Sequence, residues 1–310
     1  MTIQQMLLAT GSSDVVMPGN GYVNSRLQQQ EITISNFIAS GGEITIPSSL
    51  WIWSNSTSTP ALTIDIPCTI INQGIILGCG GRGGSVETYY ASAGLSGLNT
   101  SGNPGGPAIK INSGVTGVTI NNNSGGFIYG GGGGGGGGNE SHSGAGGGGG
   151  GAGGGAGGCG FFEAVLTAGG AIGATGNSSP RPYGGNAGSG GGSGAGSQNS
   201  SDSTNDGGSG GSGGRQVPPT FAASGGTGGN ANWWYSIGGT GGNSNNVGGN
   251  AYNGTSGYSH FWSSGGGGGG YGANGGVGKT GRNGGSGGKA IDDSGQSYTL
   301  INNGQIYGGT

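Results

Sequence analysis

The sequence predicts a mostly irregular, all-β protein. A small N-terminal β domain precedes a bundle of glycine-rich, polyproline-II-like (polyglycine II) helices carrying variable loops. Three observations predict it. Glycine supplies 91 of 310 residues and hydrophobic residues only 29%, so an ordinary apolar core cannot run through most of the chain. The glycines are uneven and crowd into the stretch from Gly125 to Lys289. A degenerate strand-like motif occurs twice before that stretch and once after it.

The first 60 residues hold few glycines. Their opening, MTIQQMLLATGSSD, has no basic n-region, and its apolar run Met6 to Ala9 is too short for a signal peptide or a membrane span, so cytoplasmic synthesis and assembly are expected. Ile3 to Ala9 could form a helical turn or two that orders only against a partner. From Glu31 to Leu77 the segments EITISNFI, GEITIPSSLWIW, ALTIDI and CTIINQGIIL alternate apolar with polar residues, are rich in Ile and Thr, and are broken by Gly, Pro and Ser, which predicts short β-strands.

The repeat comes next. TIINQGIILGCGGRGG begins at Thr69, VTINNNSGGFIYGGGGGGGGG at Val118 and YTLINNGQIYGGT at Tyr298. Each reads as strand, Asn-centred hairpin turn, strand and exit into a glycine arm. ALTID from Ala61, AIKIN from Ala108 and AIDDS from Ala290 precede the three copies at similar offsets. The copies are expected to gather into one β platform. This gives four parts: 1–60, an attachment segment; 61–124, the platform with the first arms; 125–289, the glycine bundle; and 290–310, closing strands of the platform.

Residues 125–289 exclude a collagen triple helix, because runs such as Gly130 to Gly138 break any Gly-X-Y period and prolines number only 10. A flexible coil is the simplest reading of such composition. Extended three-residue-per-turn strands are the ordered alternative. They lack internal hydrogen bonds, and without Cβ atoms they approach until the amides of one reach the carbonyls of the next. Arms of five to about 14 residues alternate with segments of different composition, and Gly130 to Gly160 is expected to hold two arms around the turn NESHSGA.

Those inserts carry nearly all the chemical variety. Loops on a rigid scaffold are where binding residues concentrate, and Tyr and Trp bring large contact area at low rotamer cost. The candidate contacts are therefore Tyr89, Tyr90, His142, Arg181, Tyr183, Arg215, Phe221, Trp233, Trp234, Tyr235, Tyr258, His260, Phe261 and Trp262. Some aromatics are expected instead to cap the arms or wedge against the platform, with Phe161, Phe162, Val165 and Leu166 the leading case for a cap. Counting arms outward from the platform puts Tyr89, Tyr90, His142, Arg181, Tyr183, Arg215 and Phe221 at the far end and the Trp233 and Trp262 clusters at the near end.

Other chemistries are weakly supported. Charged residues are 6% with a net charge of −3, so no basic stripe exists for nucleic acid or anionic lipid. Matches to GxGxxG arise by chance in such a composition, and GKT at Gly278 to Thr280 lacks its upstream glycine, Ala273 standing there. His142 and His260 have no ligand partners at metal spacing, and adjacent Asp292 and Asp293 suit a turn with Ser294 and Gly295 better than a carboxylate pair. Cys68, Cys79 and Cys159, an odd count without CxxC spacing, are expected to be buried or half-buried thiols. No enzyme activity, cofactor or metal is expected.

From Cys68 to Thr310 the motifs CTIINQGIILGCGGRGG, NPGGPAIKIN and VTINNNSGGFIYGGGGGGGGG, succeeded by alternating arms, resemble the receptor-recognising adhesin at the tip of the long tail fibre of T-even-type bacteriophages. The resemblance implies a sandwich of polyglycine helices, one copy per tip of a trimeric fibre, whose distal loops contact an outer-membrane protein or surface glycan of the host. It implies a virion protein. Residues 1 to 60 depart from that family's fibre-attachment domain, yet as the conventional part preceding the glycine arms they are expected to attach the chain to a fibre. The sparse charge leads to no expectation of nucleic-acid binding or membrane insertion. The competing readings are an ice-binding protein on polyglycine II helices and a purely structural fibre subunit.

Overall fold

The computed structural model describes residues 27–85, 101–138, 150–155, 157–158, 160–162, 165–167, 225, 228, 236–237, 252–253, 265–278 and 282–310. Three parallel sheets form a prism. The first contains β2 (Ile32–Thr33), β5 (Leu62–Ile64), β8 (Ile109–Ile111) and β15 (Ile291–Asp292). The second contains β3 (Gly42–Ile46), β6 (Cys68–Asn72), β9 (Val118–Asn122) and β16 (Tyr298–Asn302). The third contains β1 (Leu27–Gln30), β4 (Leu50–Trp53), β7 (Ile75–Leu77), β10 (Phe127–Tyr129) and β17 (Gln305–Tyr307). Each coil of chain visits the three sheets in turn, and the next coil stacks on it in register.

The alternation of Ile with Thr explains this packing. In the second sheet Ile44, Ile70, Ile120 and Leu300 stand in one row; in the third, Ile52, Ile76, Ile128 and Ile306 do the same. Side chains alternate between faces of a strand, so these rows point inward while Thr45, Thr69 and Thr119 point out. Ile44, Ile70, Ile120, Ile52, Ile76 and Ile128 are fully buried, each burial being worth about 1.5–3 kcal/mol. Cys68 joins this core, and burial, with a smaller contribution from Asp65, pushes its thiol up to about 11. Cys79 is likewise buried, while Cys159 lies outside the described residues.

Two sequence expectations are corrected here. The Asn-centred turns do not make hairpins: β6 and β7, like β9 and β10, lie in different sheets, and every pairing within the prism is parallel. A β-branched row needs a neighbour of the same kind, and the next copy of the repeat supplies it. The turn is a corner, at which Asn72 Nδ2 donates to Asn122 Oδ1 and Asn122 Nδ2 to Asn302 Oδ1, both at 2.8 Å. Nor does the platform start at residue 61, since β3 pairs with β6, β4 with β7 and β2 with β5. Residues 32–53 are its first coil, preceded by β1 on the edge of the third sheet. The turn expected at Asp293 is present: its Oδ1 accepts from Gly295 N–H at 2.9 Å, while Asp292 pairs with Lys289 at the surface.

The third sheet runs on into the glycine arms. Gly78 N–H donates to Tyr129 O at 2.8 Å and Gly130 N–H to Tyr307 O at 2.9 Å, continuing the ladder beyond β7 and β10. The outer face of this sheet is apolar too. Trp51, Trp53, Ile75, Leu77 and Tyr129 form a second buried cluster with Ala152 and Tyr271, two residues at turns between arms. Tyr129 stacks on Tyr307 at 4.3 Å between centroids and donates its hydroxyl to Gln305 Oε1 at 2.6 Å. This aromatic floor is where the glycine part sits on the prism.

Candidate functional site

Residues 130–138 lie at the centre of the arms, and their hydrogen bonds repeat every third residue. Gly131 and Gly134 donate to Gly106 O and Asn103 O, Gly133 and Gly136 to Ala273 O and Gly276 O, and Gly132 to Ala152 O, all at 2.7–2.9 Å. The carbonyls accept with the same period: Gly132 and Gly135 from Gly81 and Gly84, Gly131 and Gly134 from Gly288 and Gly285, Gly133 and Gly136 from Gly269 and Gly266. One strand thus bonds to six neighbouring segments. Buried backbone groups need partners, and here other backbone supplies them without a regular sheet.

The same period explains the composition. A Cβ on Gly131, Gly134 or Gly137 would overlap the carbonyl oxygens of Cys79, Arg82 or Ser85. On Gly130, Gly133 or Gly136 it would overlap those of Gly288, Gly285 or Arg282, and on Gly132 or Gly135 those of Gly269 or Gly266. Every face of the strand meets backbone, so no side chain fits at any of these positions.

The arms define a near end at the aromatic floor and a remote end about eight residues out. Ser85 and Gly138 close outward arms at the remote end. Gly158 lies against Gly84 O, Gly278 against Gly137 O, and Gly228 against Gly265 O, with Gly266 N–H donating to Gly136 O at 2.8 Å. The described residues flanking 86–100, 139–149, 229–235 and 254–264 therefore include arm ends remote from the prism.

This overturns part of the arm count. The run from Gly130 to Gly160 holds three passes rather than two, because the chain turns at the near end through Ala152 to Gly154, where Gly153 has φ 97° and Gly154 φ 88°. Nothing in an unbroken glycine run marks that turn. Among the described residues, Gly158, just before the Phe161 segment, is at the remote end, and so are Gly228 and Gly265, which bracket the Trp233 and Trp262 clusters in sequence. Near-end placement of those clusters is not what their flanking arms support. Phe161 and Leu166 are register partners in the antiparallel pair β11 (Gly160–Phe162) and β12 (Val165–Thr167), and Ser236–Ile237 (β13) pairs with Tyr252–Asn253 (β14).

All fourteen candidate contacts, from Tyr89 to Trp262, lie outside the described residues, as does Ile3 to Ala9. Among the described residues no group of His, Cys, Asp and Glu could hold a metal ion, and no helix is long and apolar enough to cross a membrane. The residues that sequence reasoning did not single out are those of the aromatic floor, Trp51, Trp53, Tyr129, Tyr271 and Tyr307. For all but Tyr271, which stands in a glycine run, the signal was present in LWIW, FIY and QIY, where the large residues occupy alternate positions opposite the inward Ile.

A family model described as phage tail fibre adhesin Gp38 matches residues 20–208, more than half of the chain. No curated protein sequence matches. Among solved structures, a chain from the crystal structure of the gp37–gp38 adhesin tip complex of the bacteriophage S16 long tail fibre is 20% identical. It matches over 92% of this chain and 82% of that one, with a TM-score of 0.38.

Proposed function

This chain belongs to the phage tail fibre adhesin Gp38 family, and from that premise we propose how it recognises a host. The arms are polyglycine II helices, a reading supported by the three-residue period of donors, acceptors and blocked Cβ positions around Gly130 to Gly137. They hold binding segments at their remote end, facing an outer-membrane protein or surface glycan of the bacterium. The prism side faces the fibre, residues 1 to 60 contribute to that mount, and one copy sits at each tip. Membership of the family decides against the ice-binding alternative.

The observation that carries the placement is that arm ends flanking the aromatic-rich stretches, Gly228 and Gly265, meet at the remote end. Among the candidate contacts, Trp233, Trp234, Tyr235, Tyr258, His260, Phe261 and Trp262 are the strongest, because rigid amphipathic rings dominate recognition energetics. Arg215 and Phe221, which precede an arm running outward at Gly225 and Gly228, rank lower in this reading.

The test replaces residues 230–235 and, separately, 257–264 with Gly-Ser sequence of equal length, leaving β13 and β14 intact. Adsorption to host cells is expected to fall at least tenfold for one or both, on the order of the 1.4 kcal/mol or more that a hot-spot aromatic contributes, with an unchanged melting temperature. Wild-type adsorption by both variants, and by matching variants around Tyr89 and His142, would contradict the assignment.

A further inference from the structure

We propose that the last coil of the prism is a docking edge, on which the tail fibre lays a strand–corner–strand segment as a further coil. This rests on the proposed mounting of the prism on the fibre and adds a contact at the end of the prism opposite the first coil.

The two ends of the prism differ. In the first coil the inward residues Ile44, Ile46 and Ile52 are fully buried. In the last coil their register equivalents are open: Leu300 and Ile306 are half-buried, Asn302 is exposed, and Ile301 on the outer face is 47% exposed. β16 and β17 end their sheets, so one row of backbone N–H and C=O groups on each faces outward. The first sheet is different again, because the chain itself closes its edge: Ala290 and Ile291 N–H donate to Gly309 O at 2.9 and 3.2 Å. The opening is therefore confined to two adjoining faces and the corner between them.

That corner carries the second observation. The asparagine ladder passes a proton donor from coil to coil, Asn72 to Asn122 to Asn302. Asn302 Oδ1 accepts from Asn122 and from Gly304 N–H, and its Nδ2 has no partner among the described residues. A ladder that stops on an unused donor fits a further coil with an acceptor at the same position. Exposed edges in soluble proteins are ordinarily defended by Lys, Pro or inward charge. From Ser294 to Gly309 there is no charged residue and no proline.

The geometry also selects the occupant. A second copy stacked head to tail would bring its own first coil, which offers Ile46 at the ladder position instead of an amide acceptor and carries exposed Glu43 beside it. A copy related by a twofold axis would meet the strands antiparallel and break the ladder. A parallel strand pair with a polar corner residue from the fibre satisfies the edge, the half-open core and Asn302 together.

Thr299→Lys and Asn302→Asp test this in the phage that encodes the chain. Thr299 is exposed on the edge, and Asn302→Asp keeps the oxygen that Asn122 and Gly304 use while turning the outward donor into a charged acceptor. The expected result is at least tenfold less adhesin per purified virion for each variant, with the melting temperature and cell binding of the isolated protein unchanged. Wild-type incorporation of both overturns the proposal, as does loss of incorporation on deleting residues 1–26 while both variants assemble normally. A dimer of the isolated wild type that Thr299→Lys dissociates would assign the edge to a second copy and overturn it as well. Incorporation is read on virions and receptor binding on the isolated chain, so the docking and adhesin readings fail separately.

Discussion

At Gly134 the physical constraint reduces to one hydrogen atom. Its amide donates to Asn103 O, its carbonyl accepts from Gly285, and the place a Cβ would occupy is filled by the Arg82 carbonyl. No flexible side-chain end can move aside there. Gly134→Ala is expected to cost about 3 kcal/mol or more, the high end of overpacking penalties, read as a lowered denaturation midpoint. Gly309→Ala, where the nearest atom is the Lys289 side chain at 3.9 Å, should lie within about 0.5 kcal/mol of wild type. Equal effects at the two sites would mean that glycine serves composition alone. The Lys289 and Asp292 pair works the other way: both are partly exposed, so its loss should be nearly silent.

At the scale of elements, the arms depend on what they are mounted on. Each lattice residue gains a hydrogen bond worth about 0.5–1.5 kcal/mol and loses about 1–2 kcal/mol of backbone freedom on ordering, with glycine at the upper end. Arms alone are close to balance, and the strands that feed them and the aromatic floor tip it. Trp53→Ala removes part of that floor from the outer face of β4. It should destabilise the protein by about 3–5 kcal/mol and loosen the arms before the prism, seen as faster amide exchange at Gly132 and Gly133 than at Ile70. Uniform loosening would argue that arms and prism are one cooperative unit without this hierarchy. The strands themselves were readable because Ile and Thr alternate at period two. Their parallel stacking was less so, since INQG and INNNSGG look alike whether the Asn turns a hairpin or a corner. The turn at Ala152 to Gly154 was invisible, because glycine permits positive φ anywhere and leaves no mark where the chain uses it.

For the whole molecule, the division into a β part and a glycine part was legible in where the 91 glycines fall, and the threefold repeat pointed to one β platform gathering its copies, though not to their parallel stacking. The direction of each arm was not legible, because it depends on counting reversals, and the unmarked turn at Ala152 to Gly154 was left out of that count. Backbone amides of side-chain-free strands satisfy one another, so that a protein this poor in apolar residues still orders its glycine arms. Residue-resolved hydrogen exchange on the intact chain tests it most directly. Protection of the Gly131 to Gly134 amides comparable to that of Ile70 and Ile120 in the prism is the expected result; exchange at the rate of an unstructured peptide, with the prism still protected, would contradict it.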